Sequence, residues 1–280
     1  MRVILLFILL ILSSLSIQAA DRQPAEYIVG IVPQFGMEKT HDIWEPVLEY
    51  LRQHTHLRFR IHDAIDIPAF ERRLLDGKFD LAYMNPFHFL LANRKQGYIP
   101  LLRDHARMLS GIVVVHKDSP LQSLRELEGK KVAFPSPNAL GASLMIRAAF
   151  ARQGIRIVPR YVGSHDSVYL NVTTGMTSAG GGVQKTLDRQ GASLHARLRV
   201  LYRTDPVSPH PVAVHPRVKP AVREQIKTAF LAMARDPAGR DKLGAIPIAE
   251  PGPARKQDYD ALAHMGLEQF YSVGILSGEQ

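Results

Sequence analysis

Short apolar segments alternate with amphipathic stretches along the first third of the chain. Residues 27–32 form an apolar run of strand length, and an apolar stripe at helical spacing follows at Ile43, Trp44, Val47, Leu48 and Leu51. The same alternation predicts strands at 57–61 and 79–83, a helix at 69–75, and a further helix that opens at Pro86. Parallel strands joined by crossover helices have this order, so the pattern predicts an α/β fold.

A second series of alternating segments begins at residue 111. It predicts strands at 111–116, 132–134, 156–162 and 198–202, with helices at 142–153 and after His165. The glycine-rich stretch 179–183 indicates either backbone that approaches a ligand or the opposite lobe, or a plain turn. One short strand at 212–214 and helices at 222–234 and 258–271 follow. Because so few strands remain, we expect this tail to pack back on the first series.

Two segments connect the two series. They are residues 103–112 and the stretch 205–211, which holds three prolines. We expect them to form a two-strand hinge between a first lobe, 21–110 with 210–280, and a second lobe, 111–209. Each lobe is predicted to be a mainly parallel sheet flanked by helices.

The first twenty residues have the pattern of a secretory signal peptide. A single charge at Arg2 precedes the apolar run 3–12, and small residues follow up to Ala19 and Ala20. The run is shorter than the about 20 residues of a transmembrane helix, and a retained anchor is the alternative. The chain has no cysteine, which excludes disulfides and a thiol-linked lipid anchor. We therefore predict a periplasmic protein whose signal peptide, 1–20, is cleaved.

The net charge of +9 favours anionic partners. The basic residues are scattered and are not interleaved with aromatic residues, so they do not form a strand-tracking groove for nucleic acid. Attraction of small anionic solutes is the favoured interpretation, and a solvated basic surface is the alternative.

The first candidate site lies where the strand 79–83 meets the next helix. Ligands of open α/β sheets bind outside the carboxyl ends of the strands. Tyr83 offers a hydroxyl and Asn85 an amide, and the backbone N–H groups of the helix opened by Pro86 favour negative charge. The alternative is that Asn85 only caps this helix.

The second candidate site is the junction after the strand 132–134. The N–H groups of Gly141 and Ala142 lie where a helix is expected to begin, and small residues there allow close backbone approach. Ser136, Asn138 and Ser143 add hydroxyl and amide donors, with ordinary helix capping as the alternative. No P-loop lysine follows, so the expected site binds an oxyanion through uncharged dipoles.

The third candidate site is the turn before the helix that follows His165. His165 can donate to an oxyanion, and Asp166 can cap that helix or orient the imidazole ring. A structural role for the pair is the alternative.

Catalytic and metal-binding patterns are missing from the sequence. There is no Gly-x-Ser-x-Gly elbow, no His-Glu-x-x-His and no cysteine nucleophile, so no catalytic residue is assigned. The twelve histidines, among them His210 and His215, are interpreted as solvated surface groups, so neither a metal nor a cofactor is predicted.

The three junctions resemble the phosphate, phosphite and phosphonate-binding subunits of ABC importers, a family of type II periplasmic binding proteins. The most specific segments are 80–86, the stretch 113–119 with Gly129-Lys-Lys-Val132, and Gly163-Ser-His-Asp166. The resemblance implies that Tyr83, residues 136–143 and His165 contact the oxygens of the ligand. The chain departs from the family in having fewer hydroxyls at 136–143 and no evident acidic residue before the glycines 180–182, which favours a plain oxyanion over an amine-bearing one.

The resemblance also implies a monomer that delivers its anion to a membrane permease. Two other hypotheses stay open at this stage. One is a sensor that presents the bound state to a receptor kinase. The other is an enzyme on the same scaffold, for which only His165 and Asp166 would qualify as an acid-base pair.

Overall fold

The computed structural model describes residues 26–246 and 248–272. The predicted signal peptide, 1–20, lies outside the described residues. No helix within the described ranges is both long enough and apolar enough to cross a membrane.

The described residues form eleven strands and nine α-helices. The strands are β1 (Glu26–Ile31), β2 (Arg58–His62), β3 (Leu81–Tyr83), β4 (Ile99–Asp104), β5 (Gly111–His116), β6 (Lys131–Phe134), β7 (Val158–Tyr161), β8 (Ala179–Val183), β9 (Leu198–Arg203), β10 (Pro211–Val214) and β11 (Pro251–Pro253). The helices are α1 (Met37–Thr55), α2 (Ile67–Leu75), α3 (Pro86–Gln96), α4 (Met145–Arg152), α5 (His165–Thr173), α6 (Gln184–Asp188), α7 (Ala192–His195), α8 (Pro220–Met233) and α9 (Pro237–Ala245).

The strands form two sheets, as expected for a two-lobed α/β protein. The first sheet has the order β11-β4-β10-β3-β1-β2 and the second the order β7-β6-β8-β5-β9. Pairing is parallel for β2-β1-β3 and for β7-β6-β8, and antiparallel elsewhere. Both sheets are therefore mixed rather than mainly parallel, because β5 and β10 enter their sheets from the connecting segments instead of through crossover helices.

Strand β4 was missed by the sequence analysis, which began the first connecting segment at residue 103. A proline within an apolar run argues against an interior strand, and Pro100 occupies such a position. The structure accommodates it where the register of β4 and β10 shifts, between Val212 and Ala213. Strand β4 therefore continues in the sheet up to Asp104.

The connecting segments form a paired hinge. The backbones of Leu109 and Val207 exchange two N–H···O bonds of 2.8 Å each. Next to this bridge, the amide of Gly111 donates to the hydroxyl of Thr204 at 2.9 Å. The two crossings between the sheets thus lie side by side and are hydrogen-bonded to each other.

The glycine-rich stretch 179–183 is strand β8, buried throughout, and not a turn. A side chain at Gly180 would meet Val168 of α5 at 2.5 Å, and one at Gly181 would overlap the carbonyl oxygen of Ala142. The glycines therefore let helices of the same lobe approach the sheet closely, rather than a ligand or the other lobe.

The C-terminal part lacks the α-helix expected at 258–271. It forms two 3₁₀ segments, Lys256–His264 and Leu267–Phe270, separated by Gly266 with φ of +63°. The guanidinium of Arg147 in the second lobe lies 5.1 Å from the ring of Phe270. The tail thus packs on the first lobe, as expected, but also touches the second.

Candidate functional site

Two adjoining cavities lie between the lobes. The smaller has a volume of about 20 Å³, and the larger about 140 Å³. Gln34, Val183 and His210 line both, so the cavities share a wall. One ordered water needs roughly 10–15 Å³ by this measure, so the small cavity accepts only a compact group.

Asn85 reaches the small cavity from the first lobe. It follows β3 and caps α3, since its Oδ1 accepts from the N–H of His88 at 2.8 Å. Its Nδ2 donates across the gap to the carbonyl of Asn138 at 3.4 Å, and its side chain lines the small cavity. The capping interpretation is correct, and the cap leaves the amide nitrogen facing the gap.

Tyr83 ends β3 and lines the larger cavity. Its ring stacks on that of His210, with 5.2 Å between the centroids and 22° between the planes. Burial raises the pKa of the phenol far above its usual value, so the hydroxyl keeps its proton. Tyr83 is therefore a neutral donor at the larger cavity, stacked on the histidine that lines both cavities.

A helix start reaches the small cavity from the second lobe. A π-helical turn, Leu140–Leu144, runs directly into α4, and Leu140, Gly141 and Ala142 line the cavity. The N-cap residue, Ala139, makes no side-chain cap bond. The first N–H groups of a helix have no intrahelical acceptor and carry the positive end of its dipole, which favours an anion here.

The two predicted serines do not line the cavities, although Ser143 belongs to this turn. Ser136 and Ser143 are buried, and among the described residues the structure gives neither hydroxyl a hydrogen-bond partner. Neither serine belongs to the linings of the two cavities. The structure thus brings the backbone of 140–142 to the small cavity and leaves both hydroxyls outside it.

Asn138 ties the two lobes together instead of lining a cavity. Its Nδ2 donates to Glu71 Oε2 at 2.7 Å and to the carbonyl of Ser272 at 3.1 Å. Its Oδ1 accepts from the N–H of Ser272 at 2.9 Å. Both hydrogen-bonding groups of the amide are therefore engaged with the first lobe and the C-terminal tail.

His165 begins α5 and lines the small cavity, and its side chain is 4% exposed. Burial lowers the pKa of the imidazole to about 4, against the opposing effect of Asp166. The ring is thus neutral at pH 7. Asp166 is half-buried, accepts from Gln190 Nε2 at 2.8 Å, and does not belong to either lining.

His210 is buried at the wall between the cavities, whereas the sequence analysis treated it as a surface group. Burial, together with His88 and His165, lowers its pKa to about 3. Its Nε2 lies 3.5 Å from Gln34 Nε2. The proline-rich stretch 205–211 looked like a solvated linker, and only the pairing of the hinge explains why its histidine is enclosed.

The larger cavity is lined by charged groups. Five charged side chains contribute to its wall: Asp104, Arg107, Lys185, Asp188 and Arg203. Two of these residues are acidic, and neither of them precedes the glycines 180–182.

Lys185 bridges the lobes beside the larger cavity. Its Nζ donates to the carbonyl of Ile246 at 2.9 Å, and Arg189 donates to that of Ala245, at the carboxyl end of α9. Burial, then Arg189 and Arg107, lower the pKa of the Lys185 ammonium to about 8. Cations at a helix C-terminus stabilise it, so these two contacts help to hold the lobes together.

The small cavity has the chemistry of an oxyanion site. Amide and backbone N–H groups reach it from both lobes, with two neutral imidazoles beside them, and none of the described residues in its lining has a charged side chain. Within the described ranges no group of three or more acidic, histidine or cysteine side chains is arranged to hold a metal ion.

Comparisons with known proteins identify the family of the chain. Residues 29–259 match a family described as "ABC transporter, phosphonate, periplasmic substrate-binding protein". The phosphate-import protein PhnD of Mycolicibacterium smegmatis is 21% identical over 239 residues, which are 75% of this chain and 73% of that protein.

Two solved structures are similar in fold. One is PhnD1 of Prochlorococcus marinus in complex with methylphosphonate, with a TM-score of 0.80 and 16% identity, covering 88% of this chain and 99% of the other. The second is a Xanthomonas citri protein bound to ATP, with a TM-score of 0.71 and 20% identity, covering 88% and 98%. Since the family match spans most of the chain, the protein belongs to the periplasmic substrate-binding proteins of phosphonate ABC transporters.

Proposed function

We propose that this protein captures a small tetrahedral oxyanion, which is phosphate, phosphite or a phosphonate, and delivers it to the membrane permease of an ABC importer. The observation that carries the proposal is the small cavity, where neutral dipoles from both lobes face one compact volume. The matched family and the Mycolicibacterium relative are named for transport, which favours uptake over receptor-kinase signalling or enzymatic turnover.

Binding is coupled to closure in this proposal. Asn85 belongs to the first lobe, whereas the helix start at 140–142 and His165 belong to the second. When one lobe alone holds the anion, the polar groups of the other lobe remain hydrated. Closing the gap removes that water, and each buried polar group left unpaired costs about 1–3 kcal/mol. Closure is therefore favoured when the geometry of the ligand satisfies both sets.

The proposal includes the organisation predicted from the sequence. The moving units are residues 21–110 with 210–280 and residues 111–209, the protein acts as a monomer, and the signal peptide is removed on export. The membership of the two sheets and the paired hinge support these units.

Calorimetry of the mature protein against phosphate, phosphite, methylphosphonate, sulfate and an alkylsulfonate tests the proposal. We expect the tightest binding for one of the three phosphorus oxyanions. Tyr83→Phe and His165→Ala should each weaken it about ten- to hundredfold, since a hydrogen bond to a charged partner contributes about 1.5–3 kcal/mol.

Two matched variants serve as controls for this experiment. Tyr161 lies exposed on the edge strand β7 and His264 is exposed in the C-terminal tail, so Tyr161→Phe and His264→Ala should bind as the parent does. Unchanged affinity in both Tyr83→Phe and His165→Ala would contradict the site, and no binding of any of the five anions would contradict the function.

A further inference from the structure

A buried threonine hydroxyl contacts the imidazole of His165. Thr186 Oγ1 lies 3.2 Å from His165 Nδ1, 2.7 Å from the hydroxyl of Tyr169 and 2.9 Å from the carbonyl oxygen of Val183. Thr186 is 1% exposed, so these contacts are shielded from water. The hydroxyl thus has three polar neighbours within the second lobe.

The donors and acceptors of this cluster determine where the protons lie. A threonine hydroxyl donates one hydrogen bond and accepts two, and a carbonyl oxygen only accepts. The Val183 carbonyl is 2.9 Å from the Thr186 hydroxyl and 3.4 Å from the Tyr169 hydroxyl, so the arrangement with the shorter contact has Thr186 donating to this carbonyl. Thr186 then accepts from Tyr169 and from His165.

In this arrangement His165 carries its hydrogen on Nδ1. The other ring nitrogen, Nε2, is left with a lone pair, and His165 lines the small cavity. The ionisable group that acts on the pKa of this ring is Asp166 on its own helix, and His165 in turn lowers the pKa of His210 in the first lobe. Burial lowers the pKa of His165 to about 4 in spite of Asp166, so the lone pair is free at neutral pH.

We propose that His165 Nε2 accepts a hydrogen bond from a protonated oxygen of the ligand, so that the site selects oxyanions that still carry one hydrogen. This inference rests on the proposed function and reverses the donor role that the sequence suggested for His165. Inorganic phosphate keeps at least one O–H group across the neutral pH range, and a phosphonate keeps one while it is a monoanion, below a second pKa of roughly 6–7. Sulfate and sulfonates have none, and they would place an oxygen lone pair against the lone pair of Nε2.

Methylphosphonate and methanesulfonate form a matched pair for the test, because at pH 6 both are tetrahedral and methylphosphonate is largely a monoanion. Calorimetry of the full mature protein should show methanesulfonate binding at least about tenfold more weakly, as expected when a buried acceptor is left unpaired. Titrations in two buffers of different ionisation enthalpy should show uptake of about one proton with any methanesulfonate bound and none with methylphosphonate. Equal affinities without proton uptake would overturn the inference.

The Thr186→Val variant tests whether the tautomer of His165, rather than the shape of the cavity, determines the preference for methylphosphonate. Valine keeps the volume of threonine and removes the hydroxyl that holds the hydrogen on Nδ1, so Nε2–H becomes available as a donor. The preference for methylphosphonate should then shrink several-fold. Thr177→Val is the matched control, since Thr177 is a buried threonine of the same lobe that lines neither cavity, and its preference should equal that of the parent. An unchanged preference in Thr186→Val would overturn the inference.

The tautomer is also measurable without ligand. The ¹⁵N shifts of His165 in the unliganded protein should show a protonated Nδ1 and an unprotonated Nε2, and Thr186→Val should show a mixture of tautomers. A protonated Nε2 in the parent protein would overturn this inference and leave the proposed function unaffected. Failure of all anions to bind would overturn it together with the proposed function, so the two failures are distinguishable.

Discussion

The two cavities between the lobes differ in the kind of group that surrounds them. The small cavity is lined by backbone, an amide and two neutral histidines, whereas the larger has Lys185, Arg107 and Asp104 in its wall. A buried charge is costly unless it is paired, while dipoles keep their position and need no counter-ion. The comparison teaches that uncharged dipoles line the small cavity, whereas the larger cavity combines charges of both signs.

The largest effect is expected from a charge placed in the small cavity. Asn85→Asp keeps the size of the side chain and an equally good helix cap, so α3 should remain intact. The new carboxylate would face the bound oxyanion, and like charges at close range cost several kcal/mol. Calorimetry should show a loss of affinity of more than about a hundredfold.

The matched control for that variant is Asn171→Asp in α5, which lines neither cavity and should bind as the parent does. Thermal unfolding of both variants checks that the fold is retained. If Asn85→Asp binds as tightly as the parent, Asn85 does not face the anion and the contrast between the cavities fails.

Acidification should destabilise the folded protein through the two histidines of the small cavity. The folded pKa values of His165 and His210, about 4 and about 3, lie below the usual 6.5, so the unfolded chain binds more protons between these limits. The free energy of unfolding should be constant above pH 6.5 and fall as the pH drops toward 4. The loss at His165 is on the order of 3 kcal/mol.

Urea denaturation at pH 7.0, 5.5 and 4.5 measures this slope. His165→Gln removes the titrating ring and should flatten the curve, whereas His264→Ala, at an exposed position, should leave it unchanged. A parent protein that is as stable at pH 4.5 as at pH 7 would mean that these rings are not kept neutral by burial.

Asn138→Ala should weaken the contact between the lobes more than it weakens the binding of the anion. It removes three hydrogen bonds and leaves the carboxylate of Glu71 short of a donor. We expect the free energy of unfolding to fall by about 2 kcal/mol in urea denaturation and the affinity to fall less than tenfold. A hundredfold loss of affinity would instead assign Asn138 to the ligand, as the sequence analysis proposed.

The smallest effect is expected in the larger cavity. Lys185→Met should lower the affinity less than tenfold and reduce its dependence on salt, because charges near a wet wall act mainly on association. In the parent, raising the pH from 7 to 9 passes the Lys185 pKa of about 8 and should have a similar effect on the binding of phosphate, which keeps an O–H group over this range. Stopped-flow association rates at two salt concentrations measure both, and a hundredfold loss would place a charged part of the ligand there.

The sequence predicted the parts of the site that depend on local chemistry. Asn85 stands before Pro86 at a strand end, and this pattern alone predicts a helix cap at the edge where ligands bind. The alternation of apolar segments predicted the two-lobed fold for the same reason, since each strand and helix follows from its own periodicity.

The parts that depend on distant contacts were not predictable. Asn138 has a suitable position, but its amide is taken by Ser272, which is 134 residues further along the chain. His210 is enclosed because the hinge segments pair, and β4 tolerates Pro100 because β10 shifts register opposite it. No local pattern carries such information.

The paired hinge restricts how the gap between the lobes can open and close. Because Leu109 and Val207 are bonded to each other, neither crossing strand can slide along its neighbour without breaking both bonds. Any opening of the gap therefore has to bend both crossings together. Each ligand molecule then meets the same polar groups in the same arrangement, so recognition is reproducible from one binding cycle to the next.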